Sequence, residues 1–266
     1  MIVTVATSSL QVASFPQFCR LQDKPAELRR SVLSCLRTAS IVTVPALAGL
    51  AVISRQVLTA IGPKWIDGTN GLRILCAVAA VTPILYFVGP LLQAKSKPHY
   101  LAIIEWAHAA IGAGSLVVAG ALLKQSSTSV QVTGMAATRF VTAVLLLTPV
   151  IIWLFNRFAQ VQADAMLKVM APSLSAAGVM SGVVLLISHS ALFEKLSLWP
   201  ALIVEIAIGG LVASAMLLWL DKELRRMVAD WVAKFRGSDA TVRLSPPPLA
   251  PGPEVPQVEV PEVVKD

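Results

Sequence analysis

The chain has 266 residues, of which 56% are hydrophobic and only 14% are charged. Soluble domains carry roughly 25% charged residues, and the mean hydropathy here is +0.73, so one large soluble core is excluded. The net charge of +7 could suggest a nucleic-acid partner. The basic residues, however, are dispersed at the ends of apolar stretches instead of forming one face. We therefore expect no nucleic acid and interpret these residues as topology signals.

Six long apolar stretches follow one another along the chain. A helix rises about 1.5 Å per residue and the hydrocarbon core is about 30 Å thick, so each stretch is long enough to cross a bilayer. Pro45, Pro83 and Pro149 fall inside these stretches and are expected to bend them. The sequence predicts an all-α integral membrane protein, a six-helix transmembrane bundle with spans at residues 40–61, 72–93, 100–123, 133–154, 169–187 and 198–220.

Lysine and arginine distinguish the two sides of the membrane. Cytoplasmic loops carry an excess of these residues, and fourteen lie beside the span ends on one side against four on the other. We therefore predict a multi-pass protein with both termini in the cytoplasm. The fourteen are Arg20, Lys24, Arg29, Arg30, Arg37, Lys95, Lys97, Arg157, Lys168, Lys222, Arg225, Arg226, Lys234 and Arg236, and the four are Lys64, Arg73, Lys124 and Lys195.

The regions that flank the membrane body at residues 38–220 differ from it. Residues 1–37 are predicted to form an apolar stub and a basic cytoplasmic segment. In residues 221–237 apolar side chains recur at helical spacing among basic ones, which is typical of a helix in the cytoplasmic interface against anionic lipid. A simple extension of the last span is the alternative. Residues 238–266 are proline-rich and bury too little apolar area to fold, so we expect a disordered tail.

Nothing in the sequence indicates catalysis. It contains no phosphate-binding glycine-rich loop, no His/Glu metal motif and no strand on which a nucleophile elbow could stand. Cys19, Cys35 and Cys76 have no metal-ligand spacing. We expect no enzyme activity, no cofactor and no metal. A membrane enzyme such as a glycosyltransferase would need paired acidic residues in loops, whereas Asp67, Asp164 and Glu194 are isolated.

Ionisable residues inside the spans are the candidate functional residues. A charge at membrane depth costs about 2.5 to 3.5 kcal/mol on insertion scales, so such residues usually face a polar pathway or a partner. The predicted topology places four of the six in the outer half of the membrane and the other two in the inner half. The candidate substrate-pathway residues are Arg55, Arg73, Arg139 and Glu205 in the outer half, and Glu105 and His108 in the inner half.

Structural roles remain as alternatives for the same residues. Glu105 and His108 are three residues apart on one helix face and close enough to share a proton. Arg139 and Glu205 could instead form a static ion pair between two helices. The small residues of Gly178-xxx-Gly182 and Ala110-xxx-Gly114 favour close helix packing, within one bundle rather than between two chains.

Several loop sequences carry a resemblance to a known family. They are Phe15-Pro16, Arg20-Leu21-Gln22-Asp23, Pro25, Leu28-Arg29-Arg30, Gly62-Pro63-Lys64-Trp65 and Leu72-Arg73-Ile74-Leu75. From about Phe15 to Leu185 the chain resembles the C-terminal half of bacterial polysaccharide flippases. These are the O-antigen and exopolysaccharide exporters of the multidrug/oligosaccharidyl-lipid/polysaccharide exporter superfamily.

The resemblance implies one lobe of a two-lobe transporter in the bacterial cytoplasmic membrane. Such a transporter moves a polyprenyl-diphosphate-linked oligosaccharide between leaflets by alternating access, without ATP hydrolysis. Family members have twelve to fourteen spans, so this chain corresponds to the second lobe, and a missing N-terminal lobe or a second chain is an expected partner beside membrane lipid. The alternative is a truncated or regulatory half-domain without transport activity.

Overall fold

The computed structural model describes residues 12–188, 197–221, 224–226 and 229. By compactness the chain divides into two units, Met1–Leu224 and Arg225–Asp266. The first unit contains all the helices described below, and only residues 225, 226 and 229 of the second are described. The predicted disordered tail, most of the predicted interfacial helix and the first eleven residues therefore lie outside the described residues.

The first unit is built entirely of helices in its described part, with no strand there. A helix over residues 12–20, called α1, opens it. Two interruptions are irregular: the 3-10 turn Pro63–Gly68 and the π-helical segment Val141–Leu147. The α-helices that follow α1 are α2 (Pro25–Val52), α3 (Ser54–Ile61), α4 (Thr69–Tyr86), α5 (Val88–Ala94), α6 (Pro98–Leu123), α7 (Thr128–Phe140), α8 (Thr148–Ala159), α9 (Ala163–Ser188) and α10 (Leu198–Leu220).

The helices confirm the predicted all-α membrane bundle. Five helical stretches are long and apolar enough to cross a bilayer, and a sixth span forms if a pair bent by 41° between residues 63 and 94 is counted as one. The last span matches its predicted bounds, and the third begins two residues earlier than predicted. The first span does not match, because its helix begins at Pro25 instead of Ser40 and ends at Val52.

The early start of α2 has a clear physical cause. Leu28, Val32 and Leu36 lie one helical turn apart and are buried, whereas Arg29 and Arg30 point outward and are exposed. Averaged hydropathy is low across such an amphipathic stretch, so the sequence places the start too late. Proline at the first helical position suits the boundary, since its missing N–H would have no helical partner there.

Of the three prolines expected to bend spans, Pro83 lies at a bend. The 41° bend falls at residue 82, between Pro63–Val81 and Pro83–Ala94, and a further break follows at Phe87. Pro45 lies inside the continuous helix α2, and the break comes eight residues later at Ile53. Pro149 is the second residue of α8, which follows the π-helical segment. Proline therefore coincides with the sharp bend at Pro83 and lies beside irregular geometry at Pro149.

Three of the basic segments meet at one end of the bundle, here called the basic end: residues 20–30, 95–97 and 157–168. Lys95 donates a hydrogen bond to the carbonyl of Gln22, and the ring of Tyr100 lies 5.7 Å from that of Phe158. Asp221, where the fourth basic segment begins, accepts hydrogen bonds from Arg37. This arrangement agrees with a shared side of the membrane for all four segments.

The main hydrophobic core lies near the basic end. It includes the fully buried residues Phe18, Leu91, Leu92, Phe155 and Val161. A second, much smaller cluster lies between α2, α9 and α10 and consists of Ile53, Met180, Val184 and Ala213. The opposite half of the bundle therefore contains a smaller buried apolar cluster than the basic end.

The small-residue motifs do not mark the closest helix contacts. A Cβ added at Gly114, Gly178 or Gly182 would meet nothing within 4 Å, so the prediction of close packing within the bundle is wrong for these three glycines. The tight positions are instead Gly134, where an added Cβ would clash with Leu123 Cδ1, and Gly71, where it would lie 2.7 Å from Val132 Cγ1. Glycine there lets α4 approach α7 closely.

Candidate functional site

Arg73 lines a cavity of the bundle. The cavity has a volume of about 540 Å³ and lies between α2, α4 and α9, with apolar walls that include Leu47, Ala51, Ala77 and Leu174. No acidic residue in the described part of the chain lies within ion-pair distance of the Arg73 guanidinium. The cavity therefore holds a positive charge against a largely apolar surface and is open on one side of the bundle.

Ser54 positions Arg73. The Nε of Arg73 donates a hydrogen bond of 3.1 Å to Ser54 Oγ, and Ser54 is fully buried at the break between α2 and α3. The guanidinium of Arg73 favours an anion. Ser54 could not be selected from the sequence, because a buried serine beside a helix break has no distinctive pattern.

Arg55 and Arg139 do not join Arg73 in the cavity. Arg55 is exposed on α3 and is absent from the cavity lining. Arg139 lies on α7 against α6, since a Cβ on Gly112 would come within 3.1 Å of its Nη1 atom. The three outer arginines are therefore spread over separate surfaces of this chain, and Arg73 alone among them lines the cavity.

Glu205 lies elsewhere, in a second cavity of about 460 Å³ between α2, α9 and α10. It is 4% exposed, and its Oε1 accepts a hydrogen bond of 3.4 Å from Gln56 Nε2. Its Oε2 has no hydrogen-bond partner among the described residues. No ion pair joins Glu205 to Arg139 in this part of the chain. The hypothesis of a static pair between these two residues is therefore wrong.

Glu105 and His108 lie on α6, the helix with the least buried surface. Glu105 is exposed and His108 is half-buried. They share a helix face as predicted from their spacing, but no hydrogen bond between them occurs in the described structure. Within the same residues no three His, Cys, Asp or Glu side chains are close enough to hold a metal ion.

Comparison with known proteins points to polysaccharide biosynthesis. Residues 1–69 match a family described as "Polysaccharide biosynthesis protein". An "Uncharacterized membrane protein in cps region" of Klebsiella pneumoniae is 33% identical over 84 residues, which make up 31% of this chain and 17% of that protein. The "Lipopolysaccharide biosynthesis protein WzxC" of Escherichia coli K12 is also 33% identical over 84 residues, with the same two shares.

These similarities cover part of the chain only. The aligned segment spans 17% of the length of each relative, and no solved structure matches. The family match includes the sequences around Phe15-Pro16 and Gly62-Pro63-Lys64-Trp65 and ends before Leu72-Arg73. The helices and these similarities together identify a multi-pass membrane protein that resembles membrane proteins of polysaccharide biosynthesis.

Proposed function

We propose that this chain is one lobe of a flippase that moves a lipid-linked oligosaccharide across the bacterial cytoplasmic membrane for polysaccharide biosynthesis. Its substrate is a polyprenyl-diphosphate-linked oligosaccharide, and its motion is alternating access without ATP hydrolysis. The similarity of residues 1–69 to polysaccharide biosynthesis proteins supports the process. The charge of Arg73 in a large apolar cavity is the observation that supports this class of substrate.

The chemistry of the cavity suits both parts of such a substrate. A diphosphate carries negative charge and acceptor oxygens that a guanidinium binds strongly. An isoprenoid chain is apolar and would lie along walls such as Leu47 and Leu174. The Nε of Arg73 donates a hydrogen bond to Ser54 Oγ. This bond fixes the guanidinium and leaves its other two nitrogens to face a ligand.

The cavity also suggests a second lobe. Its walls come from three helices, and one side is open, so another set of helices is needed to enclose a substrate from both sides. We propose an N-terminal lobe or a second chain in that position, with rocking of the two lobes as the transport motion. The helix break at Ile53 and the 41° bend directly before Pro83 are the proposed bending points.

Complementation of a strain that lacks its polysaccharide flippase tests this proposal. The chain fused to a family N-terminal lobe should restore surface polysaccharide, whereas the chain alone should not. In the fusion, Arg73→Gln should lower export about tenfold, as expected for loss of one charge-assisted hydrogen bond, with unchanged protein abundance. Arg73→Lys should keep part of the export because it keeps the charge.

Arg157→Gln is the matched control, since Arg157 is an exposed arginine at the basic end and outside the cavity. It should leave export unchanged. Full export by Arg73→Gln would remove Arg73 from the substrate site. A fusion that reaches the membrane in normal amount and exports nothing would favour the regulatory half-domain instead.

A further inference from the structure

The short helix α3 is held by polar contacts on two opposite faces. Ser54 Oγ accepts the hydrogen bond of 3.1 Å from Arg73 Nε on α4, and Gln56 Nε2 donates one of 3.4 Å to Glu205 Oε1 on α10. Residues two apart on a helix point about 200° away from each other, so α3 lies between α4 and α10. A movement of α3 would therefore change the contacts of Arg73 and of Glu205 together.

The helical backbone is interrupted at both ends of α3. The break at Ile53 separates it from α2. At the other end Gly62 has a φ of 151°, which residues with a side chain rarely adopt, and the 3-10 turn Pro63–Gly68 follows. The eight residues of α3 can therefore tilt as one unit between two hinges.

The carboxyl group of Glu205 is the ionisable group in this arrangement. It is 4% exposed, and its Oε2 atom is buried without a hydrogen-bond partner among the described residues. No lysine, arginine or histidine in this part of the chain lies within ion-pair distance of it. An ionised carboxylate in such surroundings is costly, whereas a neutral carboxyl group costs much less. The observed contacts therefore fit a protonated Glu205.

The other charged groups on the neighbouring helices lie mostly at the basic end. Glu205 is the one titratable residue among those that line its cavity in the described chain. Of the helices packed against α10, α3 carries Arg55, which is exposed beside Gln56. An ionised Glu205 would favour a movement of α3 that brings this cation closer. The titratable residues of α2 and α9, the other two helices, lie toward the basic end and are Glu27, Arg29, Arg30, Cys35, Arg37, Asp164 and Lys168.

We propose that Glu205 is a proton-binding site coupled through α3 to the cavity at Arg73, so that the cavity binds a diphosphate preferentially when Glu205 carries a proton. With the proton bound, Gln56 and Ser54 hold α3 in place and the guanidinium stays fixed. When the proton leaves to water, α3 moves and the contact between Ser54 and Arg73 weakens. Because coupling is reciprocal, a bound diphosphate in turn favours proton uptake. The coupling rests on the proposed function of the Arg73 cavity.

Infrared spectroscopy of the purified full chain in lipid nanodiscs tests the proton without any ligand. At neutral pH exposed carboxyl groups are ionised, so the C=O stretch of a protonated carboxyl group reports buried acids. We expect this band to be weaker in Glu205→Gln than in the wild type. Asp67→Asn is the control, because Asp67 is exposed, and should leave the band unchanged. Identical bands in the wild type and Glu205→Gln would overturn the proposal.

Binding of farnesyl diphosphate, measured by calorimetry over a series of pH values, tests the coupling. This short isoprenoid diphosphate carries both chemical parts of the proposed ligand. In the wild type its affinity should fall by up to about tenfold per pH unit where Glu205 loses its proton, since one proton is linked to one ligand. Glu205→Gln is permanently neutral and should keep the high affinity without this dependence. The ionisation of the diphosphate itself affects all variants equally, and Asp67→Asn should behave like the wild type.

Two further variants separate the coupling from the anion site, after thermal unfolding has shown that each is folded. Gln56→Leu should keep binding but weaken its pH dependence, because it removes the contact between α3 and Glu205. Arg73→Gln should lower the affinity about tenfold at every pH. Equal pH dependence in the wild type and Glu205→Gln, with affinity that still depends on Arg73, would refute the coupling and leave the anion site intact. Binding that does not depend on Arg73 would refute the anion site and the coupling with it.

Discussion

The carboxylate of Asp221, which follows the last residue of α10, accepts hydrogen bonds from Arg37 and from the backbone N–H of Leu224. Arg37 on α2 donates from Nε to Oδ2 at 2.7 Å and from Nη2 to Oδ1 at 2.5 Å. The backbone N–H of Leu224 donates to Oδ1 at 2.9 Å. Asp221 is fully buried, whereas the side chain of Arg37 is 23% exposed. This bidentate pair joins the first and last membrane helices at the basic end.

Loss of this pair should destabilise the fold. Asp221→Asn keeps the shape of the side chain but removes its charge beside Arg37. We expect the free energy of unfolding to fall by about 3 kcal/mol. This is the low end for a broken buried ion pair, because Arg37 is partly solvated. Thermal unfolding in detergent measures the change. Asp164→Asn is the control, because its pair with Lys168 is exposed to solvent and should contribute little to stability. Equal stability of the two variants would show that the Arg37 pair contributes little.

At the scale of elements, α1 belongs to the packed bundle. Its residue Phe18 is fully buried and lies in the same cluster as Leu28 and Phe155. The backbone then turns through residues 21–24, where the N–H of Lys24 donates to the carbonyl of Leu21 at 3.0 Å. Residues 12–20 thus contribute to the core at the basic end.

Removal of the Phe18 ring tests this packing. Phe18→Ala should lower stability by about 3 to 5 kcal/mol, the usual cost of deleting a buried phenylalanine ring, and the thermal unfolding temperature should fall with it. Phe140→Ala is the matched control, since Phe140 is 37% exposed on the outside of the bundle and exchanges protein contact for lipid contact. A similar loss in both variants would contradict a special role of α1 in the core.

At the scale of the whole molecule, packing is uneven along the membrane normal. The basic end contains the main hydrophobic core, whereas the opposite half contains the Arg73 cavity and a small apolar cluster. Proteins use loosely packed regions for binding and motion, because such regions cost less to rearrange. The basic end is therefore the expected pivot of any opening movement.

Cysteine labelling tests which membrane side carries each end. In a chain whose three native cysteines are replaced, single cysteines at Asn70 and Gln125 should react with a membrane-impermeant reagent added to intact cells. A cysteine at Ser96, in the basic segment 95–97, should react only after the cells are opened. The reason is the positive-inside rule. Labelling of Ser96 in intact cells would reverse the predicted orientation.

The sequence by itself determined the membrane class, the order of the spans and the grouping of basic residues, and its count of six spans holds when the bent pair is counted as one. These follow from local hydropathy and charge, which need no knowledge of contacts. It also marked Arg73 and Glu205 as unusual, because a charge at membrane depth is costly wherever the helix packs.

Tertiary structure alone decided which residues meet. It places Arg73 and Arg139 on separate surfaces. Glu205 accepts a hydrogen bond from Gln56 instead of pairing with an arginine. Arg37 pairs with Asp221, which lies 184 residues away in the sequence. Helix rotation and the break at Ile53 set these contacts, and neither has a local signal in hydropathy. The early start of α2 also has no signal in averaged hydropathy, because charged residues on one face of the helix accompany apolar residues on the other. Only the packing against the other helices shows that the apolar face is buried.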